Sequence, residues 1–128
     1  MIDESIQELF QKGEFSRAIQ YLNEMIADDP DDLDLILNVG IAYIESGDLD
    51  KGEKALNHYF SKTEGTEEAW EARGVLYIRE AAFKEAETAL LKALELNPQN
   101  GNVHRNLAML YKMIGHEEPA EEHLKKSA

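Results

Sequence analysis

The chain contains no cysteine, so neither a disulfide framework nor a thiolate metal site can be built from it, and cysteine usage leaves the redox compartment open. Basic side chains are also short in supply, 13 Lys and Arg against 26 Asp and Glu, for a formal charge of −13. Nucleic acid binding needs Lys or Arg to displace counterions from phosphates, and here the bases are scattered among twice as many acids; nucleic acid and anionic membrane are set aside as partners. No apolar run approaches the ~18 residues of a membrane span. Met1-Ile2-Asp3-Glu4 carries acids where a signal peptide would carry bases. A soluble, untargeted, cytoplasmic protein is expected.

Catalytic signatures are missing as well. None of Ser5, Ser16, Ser46, Ser61 and Ser127 sits in a nucleophile elbow, and no glycine-rich phosphate loop occurs. Neighbouring carboxylates are unavoidable on solvated helix faces in so acidic a chain, so no enzyme and no cofactor are expected. The run Asp28-Asp29-Pro30-Asp31-Asp32-Leu33-Asp34 lacks the central glycine and distal glutamate of a calcium loop, and helix capping by Asp31 or Asp32 explains it better. His116 and His123 lie one heptad apart, but none of His58, His104, His116 and His123 has a histidine four residues on. No zinc site is expected, and the imidazoles read as solvated or partly packed.

What the chain does contain is one interval. Leu22, Leu56, Leu90 and Leu124 are each 34 residues apart, and Gly40, Gly74 and Ala108 keep the same step. So do Tyr43, Tyr77 and Tyr111; Ala18, Gly52, Ala86 and Ala120; and Gly13, Gly47, Ala81 and Gly115. Such a period is the mark of stacked supersecondary units, which offer an extended surface rather than a cleft. Within one unit, Trp70, Gly74, Tyr77 and Ile78 fall at helical spacing, and Phe83, Ala86, Leu90, Ala93 and Leu94 do so after a short break. Helices are predicted near 2–12 and 15–28, 33–46 and 49–62, 67–80 and 83–96, and 101–114 and 117–127. Glycine suits the left-handed residue that ends the first helix of each pair, and Ala81 takes that place in the third pair at a cost. Gly and Ala leave holes for Tyr or Leu on the helix crossing them.

The string Trp70-Glu71-Ala72-Arg73-Gly74-Val75-Leu76-Tyr77, followed by Phe83, Ala86, Leu90, Ala93 and Pro98, closely resembles the tetratricopeptide repeat. Arg73 stands where the family usually has leucine, Glu64-Gly65-Thr66 replaces a proline, and the first unit keeps only Gly13, Phe15, Ala18, Leu22 and Pro30. The resemblance covers the whole chain. It implies an all-α, right-handed α-solenoid of about four helix-turn-helix repeats forming one domain over 1–128: a degenerate repeat at 1–32, then 33–66, 67–100 and 101–128. The end helices look finished, with Ile2, Ile6, Leu9 and Phe10 on one side of the first and Ala120 and Leu124 on one stripe of the last; a complete small protein is expected.

In the family the first helix of each pair lines the concave side. The resemblance therefore implies a partner-binding groove of Gln7, Phe10, Leu37, Asn38, Ile41, Ile44, Glu45, Glu71, Val75, Ile78, Arg79, Arg105, Asn106, Met109 and Met113, with no catalytic, cofactor or metal residues. Val75 and Ile78 read equally well as packing between helix pairs. Members that grip chaperone carboxy-termini use a Lys/Asn/Asn/Lys/Arg clamp; the matching residues are Asp3, Gln7, Asn38, Glu68 and Ala72, of which only Asn38 fits. A neutral or basic protein or peptide is the expected partner. The alternative is a structural subunit that assembles with its own copies through end helices or convex face; a monomer or weak homo-oligomer is expected.

Overall fold

The computed structural model describes residues 4–127, and among these it contains eight α-helices and no strand. They are α1 (Glu4–Gln11), α2 (Phe15–Asp28), α3 (Leu33–Ser46), α4 (Leu49–Phe60), α5 (Glu67–Arg79), α6 (Phe83–Leu96), α7 (Gly101–Met113) and α8 (Glu117–Lys126). The helices expected from the sequence are all present, with ends within two residues where they are described; Ile2 and Asp3 lie outside the described residues. α4 stops at Phe60 because Ser61 N–H bonds back to Asn57 and His58 and Lys62 N–H to Tyr59, closing the last turn.

The chain divides into two compact units, Met1–Glu64 and Gly65–Ala128, and each holds two hairpins. In the first, α1 packs on α2, α2 on α3 and α3 on α4; in the second, α5 packs on α6, α6 on α7 and α7 on α8, with α5 and α7 also in contact. The core of the first unit gathers Ile6, Leu22, Leu35 and Val39. That of the second gathers Ile78, Leu90, Val103, Leu107, Leu110 and Tyr111 among others.

One turn is repeated four times. Gly13, Gly47 and Gly115 have φ of 74°, 92° and 83°, and Ala81 takes the same left-handed conformation at φ 60°. Each of these residues donates its N–H three residues back, to Phe10, Ile44, Ile78 and Lys112. The next residue donates five back, to Leu9, Tyr43, Tyr77 and Tyr111. These paired bonds satisfy carbonyls that the helix end would otherwise orphan, and they define the angle at which the second helix folds onto the first. The opposite boundary repeats too. Asp32 accepts from Asp34 and Leu35 N–H, Thr66 from Ala69 N–H and Asn100 from Val103 N–H, so three residue types at one repeat position do the same capping. The acidic run thus contributes Asp32 as a cap.

Close approach explains the small residues. A Cβ built on Gly74 would lie 2.5 Å from Leu90 Cδ2 and one on Gly52 2.7 Å from Ile44 Cγ1, so only glycine lets these helices meet with those partners in place. Arg73, where the family favours leucine, lays its guanidinium 5.5 Å from the centroid of the Trp70 ring, a cation–π contact one helical turn away.

Candidate interaction surface

The residues expected on a binding face do not behave alike. In the first unit Gln7 is exposed and Phe10 half-buried, its ring edge-on to Phe15 with centroids 5.7 Å apart. Asn38 and Ile41 are half-buried and Glu45 is exposed. One amide hydrogen of Asn38 is already committed to its own helix, since Nδ2 donates to the Asp34 carbonyl at 2.7 Å. Leu37 and Ile44, at 4% and 1% exposure, belong to the core. Ile44 lies against the backbone opening of Gly52 on α4, so helix packing rather than a ligand claims it.

In the second unit Ile78 is likewise taken by the core, at 7% exposure among Ala86, Leu90 and Leu107. Val75 stays half-buried and Arg79 exposed. The split follows from helical geometry: two residues three apart point about 60° from one another, enough for the helix crossing behind to cover one and leave the other.

Two side-chain hydrogen bonds join α5 to α7 and its N-cap residue Asn100. Asn106 Nδ2 reaches Glu71 Oε1 at 3.5 Å and Asn100 Nδ2 donates to Glu67 Oε2 at 3.0 Å. Burial, seconded by the charges of Glu68 and Glu67, pushes the Glu71 carboxyl above its ordinary pKa, against the opposing pull of Asn100 and Arg105. Glu71 is therefore a carboxylate whose charged form is disfavoured, chiefly by burial.

The remaining α7 residues go elsewhere. Arg105, Met109 and Met113 line a shallow cleft of about 660 Å³ between α7 and α8, together with Ala108, Lys112, Glu117, Ala120, Glu121 and Leu124. Met109, Met113 and Leu124 are 46%, 54% and 58% exposed. Ala120 is buried as its place on the inward stripe requires, but Leu124 is not covered.

Sequence reasoning also missed a polar network behind α7. His104 is buried, its Nε2 2.9 Å from the Pro98 carbonyl and its Nδ1 2.9 Å from His123 Nδ1. A carbonyl only accepts, so His104 carries its proton on Nε2, and His123 Nδ1–H donates to His104 Nδ1. Burial first, then the charges of His104 and Lys126, hold His123 below the ordinary histidine value. Tyr111 stacks on His123 with centroids 5.6 Å apart and donates to Glu87 at 2.6 Å; burial and that carboxylate push its hydroxyl up to about 12. The contacts join residues 19 and 24 apart, on different helices, a separation at which a heptad count between His116 and His123 has no bearing.

Among the described residues no helix is long and apolar enough to cross a membrane.

Comparison with known proteins places this geometry. The sequence matches the tetratricopeptide repeat family over residues 9–76, 67–100 and 89–122, while comparison with curated proteins finds no match. Among solved structures the fold is similar to the crystal structure of MamA, with a TM-score of 0.78 at 21% identity over 99% of this chain and 74% of that one. It is similar to TTC0263, a thermophilic TPR protein of Thermus thermophilus, with a TM-score of 0.87 at 15% identity over 95% and 69%. MamA from residue 41 to its end, from Desulfovibrio magneticus RS-1, superposes with a TM-score of 0.79 at 18% identity over 93% and 67%. Helix order, 34-residue step, shared turn and family match agree: the chain belongs to the tetratricopeptide repeat family, with its α-solenoid fold.

Proposed function

We propose that the chain is a non-catalytic protein-interaction module that holds a segment of a partner protein against the first helices of its hairpins. The family fold supports the coarse reading, since stacked helix pairs provide surface for a partner and function resides in the side chains displayed there. The finer reading rests on Glu71. A half-buried carboxylate whose charged form is disfavoured, beside half-buried Val75 and Asn106, gains from a cationic group that brings charge and displaces little water. The partner segment therefore carries Lys or Arg with an apolar neighbour for Val75, in keeping with the acid excess of the sequence. Asn106 offers an amide to the segment's backbone, and Asn38 and Ile41 serve similarly in the first unit.

Selection of displayed peptides on the whole chain tests this. Selected sequences should be enriched in Lys or Arg next to an apolar residue, and Glu71→Gln should weaken their binding at least about tenfold, the effect of losing one close charge pair. That variant removes a desolvated charge, so it should also be more stable than the parent at neutral pH. Undiminished binding by a folded Glu71→Gln would remove the inner-face reading.

A further inference from the structure

Three of the four leucines at the 34-residue step, Leu22, Leu56 and Leu90, are 0% exposed, whereas Leu124 is 58% exposed. The cores show what covers this position: Leu22 packs with Leu35 and Val39 of α3, and Leu90 with Val103 and Leu107 of α7. In each case the first helix of the following hairpin lies across it. Leu124 occupies the same place on α8 and, with Met109 and Met113 of α7, presents an apolar strip that continues the interface the chain already makes within itself.

The charges flanking that strip identify its occupant. The α7 wall carries Arg105 and Lys112, and the α8 wall carries Glu117 and Glu121. Among the described residues no ion pair or hydrogen bond engages the side chains of Lys112, Glu117 or Glu121. A two-fold axis running along the cleft lays α7 of one copy over α8 of the other, so the basic wall meets the acidic wall twice, and the apolar side chains meet in the middle. An isologous interface requires a patch complementary to itself, and this one is. The chain's charge distribution favours the same end. Residues 1–64 hold 15 acids and 5 bases, net −10, while residues 65–128 hold 11 acids and 8 bases, net −3. Two copies therefore approach against least repulsion through the second unit.

We propose that the α7–α8 cleft is a self-association surface that takes the same cleft of a second copy of this chain, with Lys112 facing the partner's acidic wall at Glu117. The patch is small, so the dimer is weak, with a Kd between about 1 µM and 1 mM. The proposal is independent of the reading at Glu71, which lies on α5.

Sedimentation velocity on the whole chain, in about 0.15 M salt to shorten the charge repulsion, from about 10 µM to about 1 mM, tests it. The sedimentation coefficient should rise with concentration towards that of a dimer. Leu124→Glu, at a side chain exposed enough to leave the helical circular dichroism and melting unchanged, should weaken association at least about tenfold. Lys112→Glu and Glu117→Lys should each weaken it alone, and an equimolar mixture of the two should regain it, because each mixed dimer restores both opposite-charge contacts. A wild type that stays monomeric at every concentration overturns the proposal, and so does binding of a foreign helix in the cleft without self-association. Undiminished association of Leu124→Glu, or no recovery in the mixture, does the same.

Discussion

Replacing Ala81 with glycine should stabilise the protein, and the structure supplies both the size of the effect and its control. Ala81 sits at φ 60°, where an L side chain crowds its own backbone by about 1–2 kcal/mol, while glycine returns about 0.5–1 kcal/mol through its freer unfolded chain, leaving a gain of about 0.5–1 kcal/mol. Nothing else changes. The residue is exposed, so removing its methyl sacrifices no packing, and the turn's bonds, Ala81 N–H to Ile78 at 3.0 Å and Ala82 N–H to Tyr77 at 2.8 Å, are made by backbone. Urea unfolding followed by circular dichroism should show a higher midpoint with unchanged slope, and the melting temperature should rise by roughly 2–5 °C. Gly47→Ala is the mirror experiment. A Cβ added there has no heavy atom within 4 Å, so its loss should be purely conformational and of similar size. The two changes combined, in separate hairpins, should nearly cancel. If Ala81→Gly lowers the midpoint, or if both substitutions are silent, the left-handed turn is not what limits this hairpin.

Gly74→Leu should lower stability by about 1–3 kcal/mol or more, because even a Cβ there collides with Leu90, one of the best-buried side chains in the second unit; an unchanged thermal midpoint would contradict the packing described. Acidification should weaken the α7–α8 hairpin. The folded value of His123 is depressed, so the neutral ring's contribution is intact above the ordinary 6.5 and is lost as pH falls below it towards the folded value. Thermal melts between pH 8 and 5 should show that decline, and His123→Gln, which keeps a donor for His104, should flatten it. Glu71→Gln should act in the opposite sense. A carboxyl raised above 4.5 favours the folded state only while protonated, so the substitution should stabilise at pH 7 and lose its advantage near pH 3.

The elements of this fold were legible because each rests on local chemistry that recurs. A capping oxygen and a left-handed residue both act within five residues of where they stand, and an interval of 34 prints them repeatedly. Even the exception at Ala81 was visible as a break in the glycine series. Which residues of the first helices stay exposed was less legible. Leu37, Ile44 and Ile78 are as apolar as Ile41 and Val75, and the choice between core and surface depends on which side the second helix crosses. Leu124 illustrates a different limit: its three equivalents are buried, but their burial belongs to the neighbouring helix and not to leucine. The His104–His123–Tyr111 network joins partners on different helices, where sequence spacing carries no information about contact.

The boundary caps have a genetic consequence. Asp32, Thr66 and Asn100 each close a helix with an oxygen that reaches at most three residues ahead, and each hairpin turn is sealed by atoms inside it. A stretch of coding sequence copied from one cap to the residue before the next would carry its own start and finish, its capping oxygen included. The number of hairpins is thus a quantity that recombination can raise or lower in whole steps, while novelty in recognition accumulates separately on the side chains between the seams.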